Sequence, residues 1–345
     1  MKAKHHLIVI VIALLFLTLT STASTPALAL PKIITVTVDP VGSALNNRMV
    51  ALSQAIEAHV PMKVRLEPVD TQHARYAPLH FGEAEFTLES AGSAYPIFNE
   101  GLKGVGYIKI RWVWYGSPAK FAMYTRGSDT DIQTIADLKG KRYPQTSANA
   151  PFSKKLEALL HFGNITLDDV QVVDCSSVAT AQTGVLEGNF VASFAHNFSS
   201  RAIELAASRR GIRHIETPVS DTEGWARMRA IHPPFAPVIA TAAGLAKGET
   251  IETFGEEEGL LATPETSADV VYAINKGMKA GFDQYKSMEP ELVNWTWERA
   301  IKVPSLEFPF HDGTVRFLKD MGVWTAAHEA FQQNALEMER KKLGK

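Results

Sequence analysis

The sequence predicts an α/β fold of two lobes, with parallel or mixed sheets and a hinge that the chain crosses more than once. Three observations carry this. Short apolar runs alternate with helix-period segments along the whole chain after residue 30, the pattern of repeated βαβ units. The 345 residues are 46% hydrophobic and 21% charged, enough apolar material for two cores. No internal repeat or low-complexity linker divides the chain, so two independent beads are not expected. The expected lobes are residues 30–119 plus 262–345, and residues 120–261.

The first 29 residues read as a signal peptide. Lys2 and Lys4 form a basic start, Leu7 to Leu19 is apolar apart from Thr18, and Ala27-Leu28-Ala29 fits a signal-peptidase site. The apolar run is short for a membrane span. Cleavage near Ala29 implies export, expected to be to the periplasm. It also leaves 33 basic against 37 acidic residues, a charge near −4. With no basic tract beyond short pairs, a nucleic-acid partner is not expected. Cys175 is the only cysteine, which rules out an internal disulfide and any multi-cysteine metal cluster. It follows Val170–Val173 and is expected to pack as a small hydrophobe.

The elements follow in order. Ile33–Val38 reads as a buried strand, and Asp39–Ser43 as a turn. Leu45, Met49, Leu52 and Ile56 then share one helix face. Met62, Val64 and Leu66 alternate with Lys63 and Arg65, as in a half-buried strand. A helix around His73–His80 stops at Gly82. A strand at Glu85–Leu88 leads into a helix ending near Glu100. Trp112 and Trp114 alternate with Arg111 and Val113 on the next strand. Phe121–Tyr124 is expected to be the strand crossing into the second lobe.

Asp131 to Gly163 contains a basic turn, a brief strand at Arg142–Pro144 and a polar loop, Gln145–Asn149. A helix with Leu156, Leu159 and Leu160 then ends at Gly163. A strand feeding a hydroxyl- and amide-rich loop at a helix start forms an anion site. Strand, helix, strand, helix, strand follow, at 170–173, 178–186, 190–194, 201–207 and 212–215. Residues 217–250 read as irregular, with Trp225 on a possible lid. Thr263-Pro264 is expected to open a long helix, and 314–343 to be helical with a break at Gly322.

Four strand-to-helix loops could wall a ligand cleft: 39–46, 89–95, 145–149 and 194–197. Ser43, Ser90 and Asn149 suit helix N-caps equally well. Trp112, Trp114 and Tyr115 could line the hinge side of the cleft or simply be core. Asp39, Glu89 and His196 do not form an acid–base set that spacing requires to meet. The sequence contains no Gly-rich phosphate loop, HExxH or GxSxG pattern. Catalysis, a cofactor and a bound metal are therefore not expected.

Several stretches, in this order and spacing, resemble the TAXI branch of TRAP-transporter solute receptors, an NMT1-like group of periplasmic binding proteins. They are Leu79–Phe86, Ser90–Tyr95, Asp137–Arg142, Ile165–Val173, Asp269–Ile274 and Phe310–Thr314. The resemblance implies a type II-like two-lobed receptor, expected to be a monomer. It would capture a small solute, usually a carboxylate, and pass it to a TRAP-type membrane permease. A sensing subunit for a signalling receptor, or an exported enzyme on the same fold, are the alternatives. The family's ligand loops fall on Gly42, Ser43 and Asn46, on Ser90 and Tyr95, on Thr146, Ser147 and Asn149, and on Phe194, His196 and Asn197. Glu89, Tyr115 and Trp225 complete the expected ligand-binding set. The first loop keeps only Gly42-Ser43 of the family's pattern, and Glu89 stands where a neutral residue is more usual. These departures widen the expected ligand to one bearing an amine, or to an apolar one stacking on Trp114 or Tyr115.

Overall fold

The computed structural model describes residues 30–306 and 308–344. The expected signal peptide lies outside the described residues. The chain opens with β1 (Ile33–Val38), α1 (Ala44–His59), β2 (Lys63–Pro68), α2 (Gln72–Phe81), β3 (Phe86–Ser90), α3 (Ala91–Glu100) and β4 (Arg111–Tyr115). Three residues later β5 (Ala119–Arg126) begins a second set: β6 (Arg142–Gln145), α4 (Ala150–Phe162), β7 (Gln171–Asp174), α5 (Val178–Glu187), β8 (Ser193–His196), α6 (Ser200–Ala207) and β9 (Ile212–Ile215). Next come α7 (Thr222–Ile231), β10 (Ala236–Ala240), β11 (Ile251–Glu256) and β12 (Glu258–Ala262). The chain ends with helices α8 (Ala268–Ala280), α9 (Phe282–Tyr285), α10 (Trp297–Ala300), α11 (Asp312–Asp320) and α12 (Ala326–Lys342).

The first sheet has the order β2-β1-β3-β12-β4. β1 is buried over its last five residues and pairs in parallel with β2 and β3, which explains its unbroken β-branched run. β12 enters from far along the chain and runs antiparallel to both β3 and β4. The second sheet has the order β10-β11-β5-β8, with β9 also on β5, and every one of these pairs is antiparallel. β6 and β7 form a separate parallel pair, tied to the β8 side by the Val191 N–H donating to the Arg142 carbonyl.

Of the expected parallel or mixed sheets, the first is mixed and the second is wholly antiparallel. β5 enters the second sheet from the first-sheet side and β11 leaves toward it, so the two run antiparallel, a direction that side-chain period cannot encode. Residues 116–118 and Glu257 are the two crossings.

Residues 217–250 are not irregular. The Asp221 carboxylate accepts from the Gly224 N–H and starts α7, and β10 pairs with β11. α8 begins at Ala268, four residues after Pro264. The break at Gly322 is real, with φ +69° between α11 and α12.

Each sheet has its own core. Leu156, Leu159 and Leu160 of α4 pack with Tyr143, Phe194 and Phe254 around the second sheet. Trp112, Phe98, Phe308 and Phe317 pack around the first. Cys175 is buried and its thiol donates to the Gln145 carbonyl, so it packs structurally.

Candidate functional site

A cavity of about 90 Å³ lies between the sheets, beyond the carboxyl ends of β1, β3 and β8 and at the start of α4. Open α/β sheets bind ligands at such strand ends. One wall comes from the first-sheet side: Asp39 and Ser43, Asp70 and Gln72, Glu89, Ser90 and Ser93. The facing wall comes from Asn149, Phe152 and Lys155 of the α4 region, Gln182 of α5, His196, and Arg201 at the start of α6. Phe121, Phe152 and Phe194 make an apolar floor, with Phe152 and Phe194 stacked at 4.7 Å between ring centroids.

Most charge on the first wall is answered within the wall. Arg75 of α2 is buried and donates to Glu89 Oε2 at 2.6 Å and to Asp39. The Ser90 N–H donates to Glu89 Oε1 at 3.0 Å. Burial pushes the Glu89 carboxyl above its usual range, and Arg75 pulls against that rise. Asp70 has no paired cation, although Arg75 and the Ser177 hydroxyl favour its charge. Burial, and then the neighbouring Asp39, raise its carboxyl above the ordinary value.

The facing wall reaches across. Lys155 pairs with Glu256 at the end of β11, and donates to Ser90 Oγ at 3.2 Å and Ser93 Oγ at 2.9 Å on the opposite wall. Its three N–H donors are thereby used. His232 Nε2 lies 2.9 Å from the second Glu256 oxygen. Burial opposes the charge of Glu256, but Lys155 and His232 outweigh it and hold the carboxyl at about 2. Asn149 caps α4, its side-chain oxygen accepting from the Phe152 N–H, and its amide nitrogen donates to the Asp70 carbonyl at 3.4 Å. The two walls meet at Gly92. A Cβ there would lie 1.8 Å from Glu256 Oε2 and 2.7 Å from His232 Nε2.

Beneath the cavity, Glu258 is fully buried and bonded to Arg48 at 2.5 Å, which also donates to Glu289 at 3.1 Å. Burial, opposed by Arg48, pushes the Glu258 carboxyl up to about 7. His196 Nε2 stands 4.0 Å from its other oxygen. Burial, then Arg48 and Lys155, push His196 well below its usual value, so its ring is neutral.

Of the residues singled out in the sequence, Ser43, Glu89, Ser90, Asn149, Phe194 and His196 line the cavity. The others do not. Gly42 holds the turn with φ +87°, and Asn46 donates back to the Asp39 carbonyl. Tyr95 is on α3, its carbonyl accepting from Asn99. Thr146 is buried with its hydroxyl unpartnered, whereas Ser147 is exposed and its N–H donates to Asp174. Asn197 donates to the Thr241 carbonyl.

The two aromatic members of the expected ligand set other than Tyr95 and Phe194, namely Tyr115 and Trp225, need correction. Tyr115 is core: its hydroxyl donates to Glu257 Oε1 and accepts from Arg299, which covers its ring at 4.5 Å. Trp112 and Trp114 are likewise buried in the first lobe. Trp225 is on α7, edge-on to Phe162, with its indole N–H donating to the Pro218 carbonyl, and is no lid. The cavity aromatics are instead the phenylalanines of the second lobe.

Asp70, Gln72, Ser93, Lys155, Gln182 and Arg201 were not singled out. Each lies on a helix or just ahead of one, where a polar residue reads as an ordinary exposed or capping position. Only the packing of the two walls turns it inward.

The NMT1-like family model matches residues 98–322. The chain belongs to the NMT1-like family. No match was found among the curated proteins. Among solved structures, this family member is similar to the periplasmic binding protein BugD at 11% identity, over 91% of this chain and 98% of that one, with a TM-score of 0.56. That likeness shows the fold, a two-lobed periplasmic binding protein. It is also similar to an ancestral arginine-binding protein bound to arginine, at 12% identity over 75% and 97% of the chains, TM-score 0.48. The alkanesulfonate-binding protein SsuA from Xanthomonas axonopodis pv. citri, bound to MOPS, is a further likeness, at 14% identity over 89% and 85%, TM-score 0.47. These last two, below 0.5, add nothing to the fold assignment.

Proposed function

We propose that this NMT1-like protein is an extracytoplasmic solute receptor, exported by the N-terminal segment and free of catalysis. It captures a small organic solute, a carboxylate or an amino acid-like molecule, between its lobes. It then delivers the solute to a membrane carrier of the TRAP type. The lobe boundaries expected at 119/120 and 261/262 move, on this reading, to 118/119 and 257/258, because β12 pairs with β3 and β4, and residues 116–118 and Glu257 form the hinge. The observation that carries this is the cavity itself. Its two walls belong to different sheets, and side chains from one wall reach hydroxyls on the other: Lys155 to Ser90 and Ser93. Contacts that exist only when the walls meet give a ligand a closed state to favour.

The ligand set expected on sequence becomes a smaller one: Ser43, Ser90, Asn149, Phe194 and His196, joined by Asp70, Gln72, Lys155 and Arg201. The carrier assignment rests on the resemblance of Leu79–Phe86, Asp137–Arg142 and Ile165–Val173 to TAXI-type receptors.

Thermal unfolding of the chain from Leu30 onward, against carboxylates, amino acids and aromatic acids, tests the receptor reading. A ligand at 100 times its dissociation constant stabilises by about 2.7 kcal/mol. Saturable stabilisation with the compound recovered intact supports a receptor, whereas consumption of the compound points to an enzyme. Uptake by a reconstituted TRAP permease that depends on this protein tests the carrier.

A further inference from the structure

Besides His196, five acidic or basic side chains line the cavity: Asp39, Asp70, Glu89, Lys155 and Arg201. Three are already answered. Arg75 binds both Asp39 and Glu89, and Glu256 binds Lys155. Asp70 and Arg201 remain, with no ion-pair partner within 4.0 Å among the described residues. They come from opposite lobes, Asp70 just ahead of α2 and Arg201 in the first turn of α6. Arg75, then Arg201, favour the Asp70 charge and the Ser177 hydroxyl hydrogen-bonds to it, but neither cation pairs with it. A third group is unanswered as well. Gln72 is 8% exposed, lines the same cavity, and its side-chain oxygen has no hydrogen-bond partner.

Resting on the receptor reading, we infer that the ligand is dipolar, with an ammonium group set against Asp70 and the Gln72 side-chain oxygen and an acidic group set against Arg201. The argument is one of leftover charge. Closing the cleft removes water from both residues, and a buried charge without a partner is costly. A purely anionic ligand answers Arg201 but adds negative charge beside Asp39, Asp70 and Glu89, where Arg75 and Lys155 are already engaged by Asp39, Glu89 and Glu256. A simple amine answers Asp70 and leaves Arg201 unmet. An ammonium has three N–H donors to offer, which suits an acceptor pair of carboxylate and amide oxygen. The planar fork of an arginine suits a carboxylate or another oxyanion. Asn149 donates to the Asp70 backbone carbonyl from the facing wall, so closure itself positions the Asp70 end. Glu89, the carboxylate that stands out in the sequence, is spent on Arg75 and the Ser90 N–H and does not select the ligand.

The test uses matched sets: glycine, β-alanine, γ-aminobutyrate and L-valine, each beside the acid lacking the amine and the amine lacking the acid. Calorimetry and thermal unfolding are run on the wild type, Asp70→Asn and Arg201→Gln. At least one amino acid is expected to bind at least tenfold more tightly than both of its partners. Asp70→Asn should narrow the gap to the matched acid, and Arg201→Gln the gap to the matched amine. A merely structural role would not move selectivity in these opposite directions. An acid that binds wild type as tightly as its amino acid overturns the dipolar assignment and leaves the receptor standing. Unchanged selectivity in both variants also overturns it. Silence from every set overturns it too, and the receptor reading falls with it only when the wider solute panel is silent as well.

Discussion

The crossing segment and the cleft above it are both crowded with charge, and they treat it in opposite ways. Glu256, Glu257 and Glu258 are consecutive and buried. Glu256 faces Lys155 and His232, Glu257 accepts from Tyr115, Ser305 and Leu306, and Glu258 holds Arg48. One Glu258 oxygen is the exception. In the cleft, Asp70 and Arg201 face the same space without pairing. The difference separates architecture from recognition. Charges met inside the chain brace each lobe beside the crossing, and on the receptor reading the charges left unmet in the cavity are the ones a solute would answer.

The comparison can be broken most forcefully at Arg75. Arg75→Met leaves Glu89 buried with no cation and removes the partner of Asp39. We expect a loss of about 3–5 kcal/mol in urea unfolding. A loss below about 1 kcal/mol would mean that the first wall does not depend on this guanidinium.

Glu258 sharpens the same contrast through pH. Its folded value of about 7 lies above the ordinary 4.5. The folded state therefore holds this proton more tightly than the unfolded chain. The contribution of this group to stability is fully present below about 4.5, falls as pH rises, and is lost above about 7. Its full extent is on the order of 3 kcal/mol. Glu258→Gln should flatten the Tm profile across that window relative to wild type. Parallel profiles for the two proteins would show that Glu258 is not titrating there.

The walls approach each other at the bare backbone of Gly92. Gly92→Ala puts a methyl group against Glu256 and His232. A strain of about 1–3 kcal/mol is expected, relieved by opening the lobes. Small-angle scattering should then report a larger radius of gyration with near-native circular dichroism. An unchanged radius would argue against this contact setting the closed state.

The smallest effect should come from an exposed pair of the same chemistry. Lys63 bonds Glu57 at 2.8 Å in open solvent. Lys63→Ala is expected to cost under about 1 kcal/mol, and less in high salt. A larger loss in denaturant melts would show that exposure is not what divides the two classes of charge.

Much of the fold was legible in the residues. The β-branched run of Ile33–Val38, the leucines at 156, 159 and 160, and glycine stops at Gly82 and Gly188 are local signals, and strands and helices formed where they stand. α7 was missed because the prolines around it outweighed the Asp221 cap. The cleft loops were legible as a class, since strand ends feeding helix starts are where such folds bind. Which side chains within them matter was less so. Asn149 and Ser43 do cap their helices while also lining the cavity, so a capping signal neither excludes nor establishes a site.

By itself, then, the sequence determined the alternation of strands and helices, the four loops at the strand ends, and the family the chain belongs to. These depend on neighbours a few residues apart. Tertiary structure alone decided strand direction in the second sheet, the burial of Tyr115 and Trp225, and the division of charges into met and unmet. Glu89 and Arg75 are 14 residues apart, and Lys155 and Glu256 are 101 apart. Whether a carboxylate is neutralised or left for a ligand depends on which cation the folded chain brings beside it, and no local pattern carries that information.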